Sequence, residues 1–460
     1  MTFRQRASIA LGTAPTRATD EGARRLAEKR EHAAAEYPAF DAMRDRAREI
    51  RMHTLARLDI YLSQLADAVE RAGGVVFFAA DAAEANGYIR RLAAERGVET
   101  IVKSKSMVTE EIELNHALEL DGRRVVETDL GEFIIQLAKD KPSHIIAPVL
   151  HKTRFEIGEL FAAEIDAPYT DDPFELNAIA RRYLREIFLS ADMGISGVNF
   201  ASADTGTMVT VTNEGNARLC TTAPRIHVGV MGMERVVPTV SDMQVMLEVL
   251  ARSGTGQRLS VYTNFVTGPR RPGDADGPDE FHLVILDNGR SRVLGSGSAE
   301  ILGCIRCGAC LNVCPVYRHT GGHAYANTYP GPVGAVLAPV LAGEGFSDLP
   351  YASSLCGACR EACPIRIDIP SMLLGLRHEF TETGDTEYGW LGPGLSAYAR
   401  IATSPTLWRA FLAAGAVFGQ RKDGYIRRLP FHAGNWTSTR DLPAPAAQSF
   451  HSWWKEHRGT

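Results

Sequence analysis

The sequence predicts an α/β protein in which a three-layer sheet domain is followed by an α-helical module built around cysteines. Two observations carry that prediction. Short β-branched runs alternate with helical stretches from residue 75 to about residue 290, the pattern of a sheet buried on both faces. Seven of the eight cysteines then crowd between residues 304 and 363 at metal-ligand spacing. At 460 residues the chain has the length of about three domains of ~150 residues each.

Taken in order, residues 1–70 read as a helical segment. Leu55, Leu58, Leu62 and Leu65 recur at helical spacing, and Gly73-Gly74 ends the pattern. Upstream, RLAEKREHAAAEYPAFDAMRDRAREI mixes both charge signs and reads as a solvated helical face. Residues 71–295 form the α/β domain. Its expected strands are VVFFAA (75–80), ETIVKS (99–104), RVVETD (124–129), HIIAPV (144–149), GTMVTVTN (206–213), RIHVGVM (225–231) and FHLVILD (281–287). AAEANGYIRRLAAERG, between the first two, has helical composition, and GPRRPGDADGPDE (268–280) reads as a surface loop. The cysteine module spans 296–380. A tail follows over 381–460, where LPAPAA suggests an extended segment packed on the body through Phe450, Trp453 and Trp454.

Composition excludes several classes. Fifty Lys and Arg against 55 Asp and Glu leave a net charge of −5, with no basic excess to track nucleic-acid phosphates. No run approaches the ~18 apolar residues of a membrane span. The Arg-rich N-terminus has no apolar stretch of the ~7 residues that a signal peptide needs. The cytoplasm is therefore the expected location, and a peripheral place at the inner membrane is compatible with it. G-x-G-x-x-G, G-x-x-x-x-G-K-[ST], G-x-S-x-G and H-E-x-x-H are all missing, which removes support for nucleotide-binding and hydrolase readings.

The cysteines carry the chemistry. CIRCGACLNVCP places Cys304, Cys307, Cys310 and Cys314 before Pro315, the C-x2-C-x2-C-x3-C-P run of two-cluster ferredoxins. Three thiolates on a tight loop can converge on one iron–sulfur cube. The fourth begins a helix directed at the other cluster, and Pro315 can start that helix because it needs no N–H. LCGACREACP repeats the last three positions with Cys356, Cys359, Cys363 and Pro364, and Ser353 stands where a first cysteine would. Zinc normally takes four ligands, so seven thiolates and two C-P junctions fit two clusters better. The crossing rule assigns Cys304, Cys307, Cys310 and Cys363 to one complete site. Cys314, Cys356 and Cys359 then form a second site with only three thiolates. Cys220, without a cysteine neighbour, reads as a small buried hydrophobe.

Weaker signals lie in the α/β domain. GISGVNFASADTG (194–206) and TNEGNARL (212–219), with Asn213, Glu214 and Asn216 on a turn, could shape a small-molecule pocket or be turn chemistry alone. KSKSM (103–107), after a strand, could be an anion-binding loop. No catalytic residue can be assigned.

These motifs also carry a family resemblance. KSKSMVTEEIELN, ETDLGEFIIQLAKDKPSHIIAPVLHK and SGVNFASADTGTMVTVTNEGNARL resemble the LUD (lactate-utilization) domain. With the two cysteine motifs and a tail containing RDLPAPAAQSFHSWW, the chain from about residue 40 onward resembles the lactate utilization protein B family. The resemblance implies a NagB/RpiA/CoA-transferase-like LUD fold followed by a two-cluster 4Fe-4S ferredoxin-like domain. It further implies an electron-transfer subunit of a three-protein system that oxidises L-lactate to pyruvate for growth on lactate. The partners would be a cysteine-rich iron–sulfur protein and a smaller LUD-domain protein. The alternative is a self-contained LUD-domain enzyme acting on another small acid or acyl substrate, with the clusters as accessories. Lack of a hydride-accepting fingerprint favours the electron carrier, because clusters alone do not accept hydride.

Overall fold

The computed structural model describes residues 1–343, 345–384, 391–419, 424–430, 434–446 and 448–458. The chain divides into two compact units, Met1–Glu382 and Thr383–Thr460.

The first unit opens with helices Phe3–Ala10, Ala14–Ala35, Phe40–Leu55 and Leu58–Arg71. Leu55, Leu58 and Leu65 are buried and Leu62 is half-buried, as their spacing predicts. The main sheet follows, with strands β1 (Val75–Ala79), β2 (Thr100–Lys103), β3 (Arg124–Glu127) and β4 (Met193–Gly197). After β4 come β5 (Phe200–Ser202), β6 (Met208–Thr212), β7 (Ile226–Gly232), β8 (Val236–Val237), β9 (Tyr262–Val266) and β10 (Glu280–Leu286). Six of these form a parallel sheet in the order β1-β10-β7-β4-β2-β3. Both central strands, β4 and β7, are buried at every position. That is the signature of a sheet covered on both faces.

A second, four-stranded sheet, β8-β5-β6-β9, has no counterpart in the sequence-based expectation for β5, β8 and β9. HIIAPV, expected as a strand, forms turns instead. The His144 ring Nδ1 accepts the N–H groups of Ile146 and Ala147, and Pro148 has no N–H to give a ladder. Conversely, MGISG, read from its glycines as part of a pocket, is the central strand β4. Gly194 is required there, because a Cβ would stand 1.7 Å from the Cys220 carbonyl oxygen of the helix Asn216–Thr222 packed on it. The GPRRPGDADGPDE segment is the mostly exposed connection between β9 and β10.

The cysteine module is a chain of short helices, with Gly331–Ala342 as its apolar centre and Ile369–Thr383 at its end. The second unit holds helices Leu391–Thr403 and Pro405–Gly419, the paired strands Tyr425–Ile426 and Leu442–Pro443, and helix Phe450–His457. Ser449 caps this short last helix, on which Phe450, Trp453 and Trp454 are exposed, with the Phe450 ring 6.0 Å from each tryptophan ring. Among the described residues, no helix is long and apolar enough to cross a membrane.

Candidate metal centres and the adjoining pocket

The two cysteine loops follow one backbone course. Arg306 and Leu355 both take positive φ (59° and 54°), as do Gly308 and Gly357 two residues later (74° and 85°). Each glycine then starts a short helix, Ala309–Asn312 or Ala358–Ala362, and each helix is followed by a Cys-Pro junction. The correspondence extends to the side chains. The Arg306 N–H donates to Cys304 Sγ at 3.4 Å, and the Leu355 N–H donates to Ser353 Oγ at 3.1 Å. Ser353 therefore occupies the structural place of Cys304. Two further amides serve thiols: Tyr317 N–H donates to Cys314 Sγ at 3.5 Å and Ile367 N–H to Cys363 Sγ at 3.4 Å.

All seven cysteines are free of disulfides. Cys304, Cys307, Cys310 and Cys363 line one small apolar cavity walled by Ile301, Ile305 and Ile365. Burial pushes the Cys307 and Cys310 thiols far up, and repulsion within this set adds to it. Cys363 is pushed up to about 11 by burial and then by Cys304. Cys359 is raised to about 12 by burial and then by Cys314 and Cys356, which lie beside it in a second group. Buried thiols in this state are poor nucleophiles, and a bound cation reverses that logic by removing the proton. Convergent free thiols, amide donors to sulfur and apolar walls together fit iron–sulfur ligation. The second group is the wetter one, since Cys356 is exposed.

Arginines surround the first group. Arg44 donates to the Cys363 carbonyl at 2.8 Å, Arg235 to that of Cys304 at 3.3 Å, and the fully buried Arg51 to Leu302 at 3.0 Å and Gly303 at 3.4 Å. Arg306 lies with its guanidinium 4.6 Å over the Tyr329 ring, and among the described residues its three side-chain nitrogens have no hydrogen-bond partner. Burial alone would raise Glu234, yet Arg290, Arg235 and Arg306 hold it at about 2. One carboxylate thus serves three guanidinium groups, and Arg290 is shared with Glu111 at 2.8 Å.

The pocket lies against these loops. From β2 the chain moves outward to β3, whereas from β4 it turns the other way to β7. Such a switch point opens a crevice beyond the carboxyl ends of the two strands. Ser104, Lys105 and Ser106 after β2, Asn199 after β4, and Asn213, Glu214 and Asn216 after β6 line it. Ile305, Arg306 and Cys307 of the first cysteine loop form part of its wall, and the space measures ≈ 1430 Å³ with its open mouth included.

The structure therefore unites the 194–216 segments and KSKSM in one place, with one correction. Lys103 is not an anion receptor: it is wholly buried, held 2.8 Å from Glu127 and 2.9 Å from Glu110. Lys105 faces the pocket instead. Gly254, Thr255 and Gln257, at the end of helix Val240–Gly254, also line it, and Gln257 Oε1 accepts from Asn213 Nδ2 at 3.0 Å. Asp129, Arg235 and Arg306 were missed, because nothing local in the sequence marks residues that meet only across the fold. Asp129 caps helix Leu130–Leu137, and Glu214 accepts the Leu130 N–H of the same helix at 2.8 Å. Glu214 reaches solvent through the mouth, yet the surrounding protein and then Asp129 push its carboxyl up to about 7. Cys220 is the buried hydrophobe expected of it, raised to about 12 by burial.

Asp140, His151 and His323 also meet, but the Lys152 ammonium already sits 2.8 Å from the Asp140 carboxylate. That charge does a cation's work there.

Fold and thiols define the class: an iron–sulfur protein whose LUD domain precedes a ferredoxin-like 4Fe-4S module. The family models agree, matching the LUD domain over residues 62–286, a 4Fe-4S dicluster domain over 300–367, and the C-terminal region of lactate utilisation protein B over 394–459. Lactate utilization protein B of Bacillus licheniformis is 48% identical over 99% of this chain and 97% of its own. That of Bacillus subtilis is 47% identical over 99% and 96%. An Escherichia coli relative described as an uncharacterized electron transport protein is 46% identical over 94% and 92%. The chain belongs to the lactate utilization protein B family. A solved DUF162 family protein from Deinococcus radiodurans, 15% identical, covers 50% of this chain and 98% of its own at a TM-score of 0.29.

Proposed function

We propose that this chain is the iron–sulfur electron-transfer subunit of a three-protein system that oxidises L-lactate to pyruvate. Its partners in that reading are a cysteine-rich iron–sulfur protein and a smaller LUD-domain protein. The observation that carries the reading is the pair of cysteine loops with the same backbone turns, whose thiols fall into two groups. Cys304, Cys307, Cys310 and Cys363 hold one cluster; Cys314, Cys356 and Cys359 hold the other, with Ser353 beside the open position. Bound clusters supply one-electron transfer. The chain's residues do the rest. Amides of Arg306, Tyr317 and Ile367 donate to sulfur, the isoleucine walls exclude water, and the arginines offset the anionic charge of thiolate-bound iron.

The pocket favours a second reading, in which the LUD domain itself handles a small acid. Reconstitution separates the two. Purified anaerobically, the chain should carry about seven to eight irons. It should not oxidise L-lactate with an artificial acceptor alone, and should do so once both partners are added. Robust turnover by the isolated, flavin-free chain would transfer the activity to its own pocket. Mostly zinc, or only about four irons, would end the two-cluster assignment.

A further inference from the structure

We infer that the crevice between β2 and β4 is a binding site for a small organic carboxylate, a 2-hydroxy or 2-oxo acid, seated against the loop of the first cluster. The inference deepens the proposed function and rests on it for the nature of the acid. It rests on the fold for the site.

Three independent features converge. The crevice stands at the topological switch point, where open parallel sheets take their ligands. Its lining mixes a few polar groups with apolar walls from Val198, Val211, Leu247 and Leu250, the make-up of a small-molecule site. Its lining holds more cations than carboxylates, with Arg235 and Arg306 sharing the single Glu234 carboxylate behind the wall. Lys105, Arg235 and Arg306 line it against Asp129 and Glu214. Asp129 is engaged as a helix cap, and Glu214 is a weakened anion near neutral pH.

Lys105 is the group left over. Among the described residues its Nζ is buried without a hydrogen-bond partner, and the Glu132 Oε1 that lies 3.4 Å away makes an ion pair with it but no hydrogen bond. Burial pushes that carboxyl up to about 7, so it is an incomplete counter-ion. Ser104, 2% exposed, also keeps an unpartnered Oγ here. Buried donors without acceptors are costly, and an entering carboxylate supplies the acceptor for both. Neighbouring Asn and Thr side chains are suited to a hydroxyl or oxo group beside it. Cys307 lines both this crevice and the small cavity of the first thiol group, so the ligand would sit against the loop that holds that group.

The test uses the intact, iron-loaded chain, with iron and labile sulfide measured first so that loss of clusters is recognised separately. Calorimetric titration with L-lactate and with pyruvate should show saturable binding, and neutral lactamide should bind at least tenfold more weakly. Lys105→Met should weaken acid binding at least tenfold while iron content and visible spectrum stay unchanged. Lys105→Arg should hold it within threefold of wild type. Bound lactate should also alter the electron paramagnetic resonance line shape of the reduced first cluster. Fully iron-loaded protein that binds neither acid at tens of millimolar overturns the inference. So does binding that Lys105→Met leaves intact, or a first-cluster line shape indifferent to saturating ligand. None of these outcomes touches the cluster assignment, which the iron analysis decides.

Discussion

Ser353 shows how much one side chain can decide. Its hydroxyl oxygen accepts the N–H two residues on, as the Cys304 sulfur does in the companion loop, so it stands at a ligand's place in the loop. A neutral hydroxyl is a far poorer iron ligand than a thiolate, and the site stays one strong ligand short. Ser353→Ala should therefore leave iron content nearly unchanged, whereas Cys359→Ala should remove the second cluster. Mild oxidation of wild type should give a three-iron resonance that Cys359→Ala abolishes and Cys304→Ala retains. Ser353→Cys should suppress that resonance by supplying the fourth thiolate. If Ser353→Ala alone strips the second cluster, the serine is a ligand after all. Glu214 makes a second residue-level case. Its ordinary carboxyl value is 4.5 and the folded one is about 7, so the folded state keeps the proton longer. Its stabilising contribution is full below pH 4.5 and is lost as pH rises towards 7. Glu214→Gln should thus lessen the fall in the urea midpoint between pH 5 and pH 8. An unchanged pH profile would show that the shift is absent.

At the scale of elements, legibility followed local chemistry. β1, β2, β3, β7 and β10 were readable because β-branched runs between helices have few other homes in a large chain. HIIAPV has the same composition but failed, because His144 is buried and its ring captures two amides that a strand would use. β5 and β8, with three and two residues, are too short to show any period. β4 was hidden by its own glycines: sequence marks Gly194 as permissive, while the fold needs it because helix Asn216–Thr222 presses onto the strand. Gly194→Ala is the corresponding test. The obstruction is a backbone carbonyl rather than a flexible side chain, so the strand or helix must shift. Overpacking of this kind costs about 2 kcal/mol, to be read from urea unfolding. A variant as stable as wild type would mean that the helix can lift away freely. The 4Fe-4S module was legible for a different reason: a cluster needs its thiolates at set spacing, and that spacing stands in the sequence as a motif. The pocket was only half legible, since its two loops carried weak signals and Arg235, Arg306 and Asp129 carried none.

For the whole molecule, charge ties folding to metal. The chain's net charge is −5, yet Arg51, Arg235 and Arg306 are buried around the first thiol group. The acid available to them inside is chiefly Glu234, already shared with Arg290. Buried cations without counter-charge are strongly destabilising, and neutral thiols provide none. Four thiolates on iron, as proposed for this site, would supply it. Removing iron with a chelator under reducing conditions should therefore lower the unfolding temperature by well over the few degrees that one surface ion pair contributes. Added salt should not restore it, because groups this deeply buried are screened little. Limited proteolysis of the iron-free chain should cut first around the two cysteine loops, while β4 and β7, buried on both faces, stay protected. Equal unfolding midpoints with and without iron would mean that the arginines are compensated by the protein alone, and the link between charge and cluster would fail.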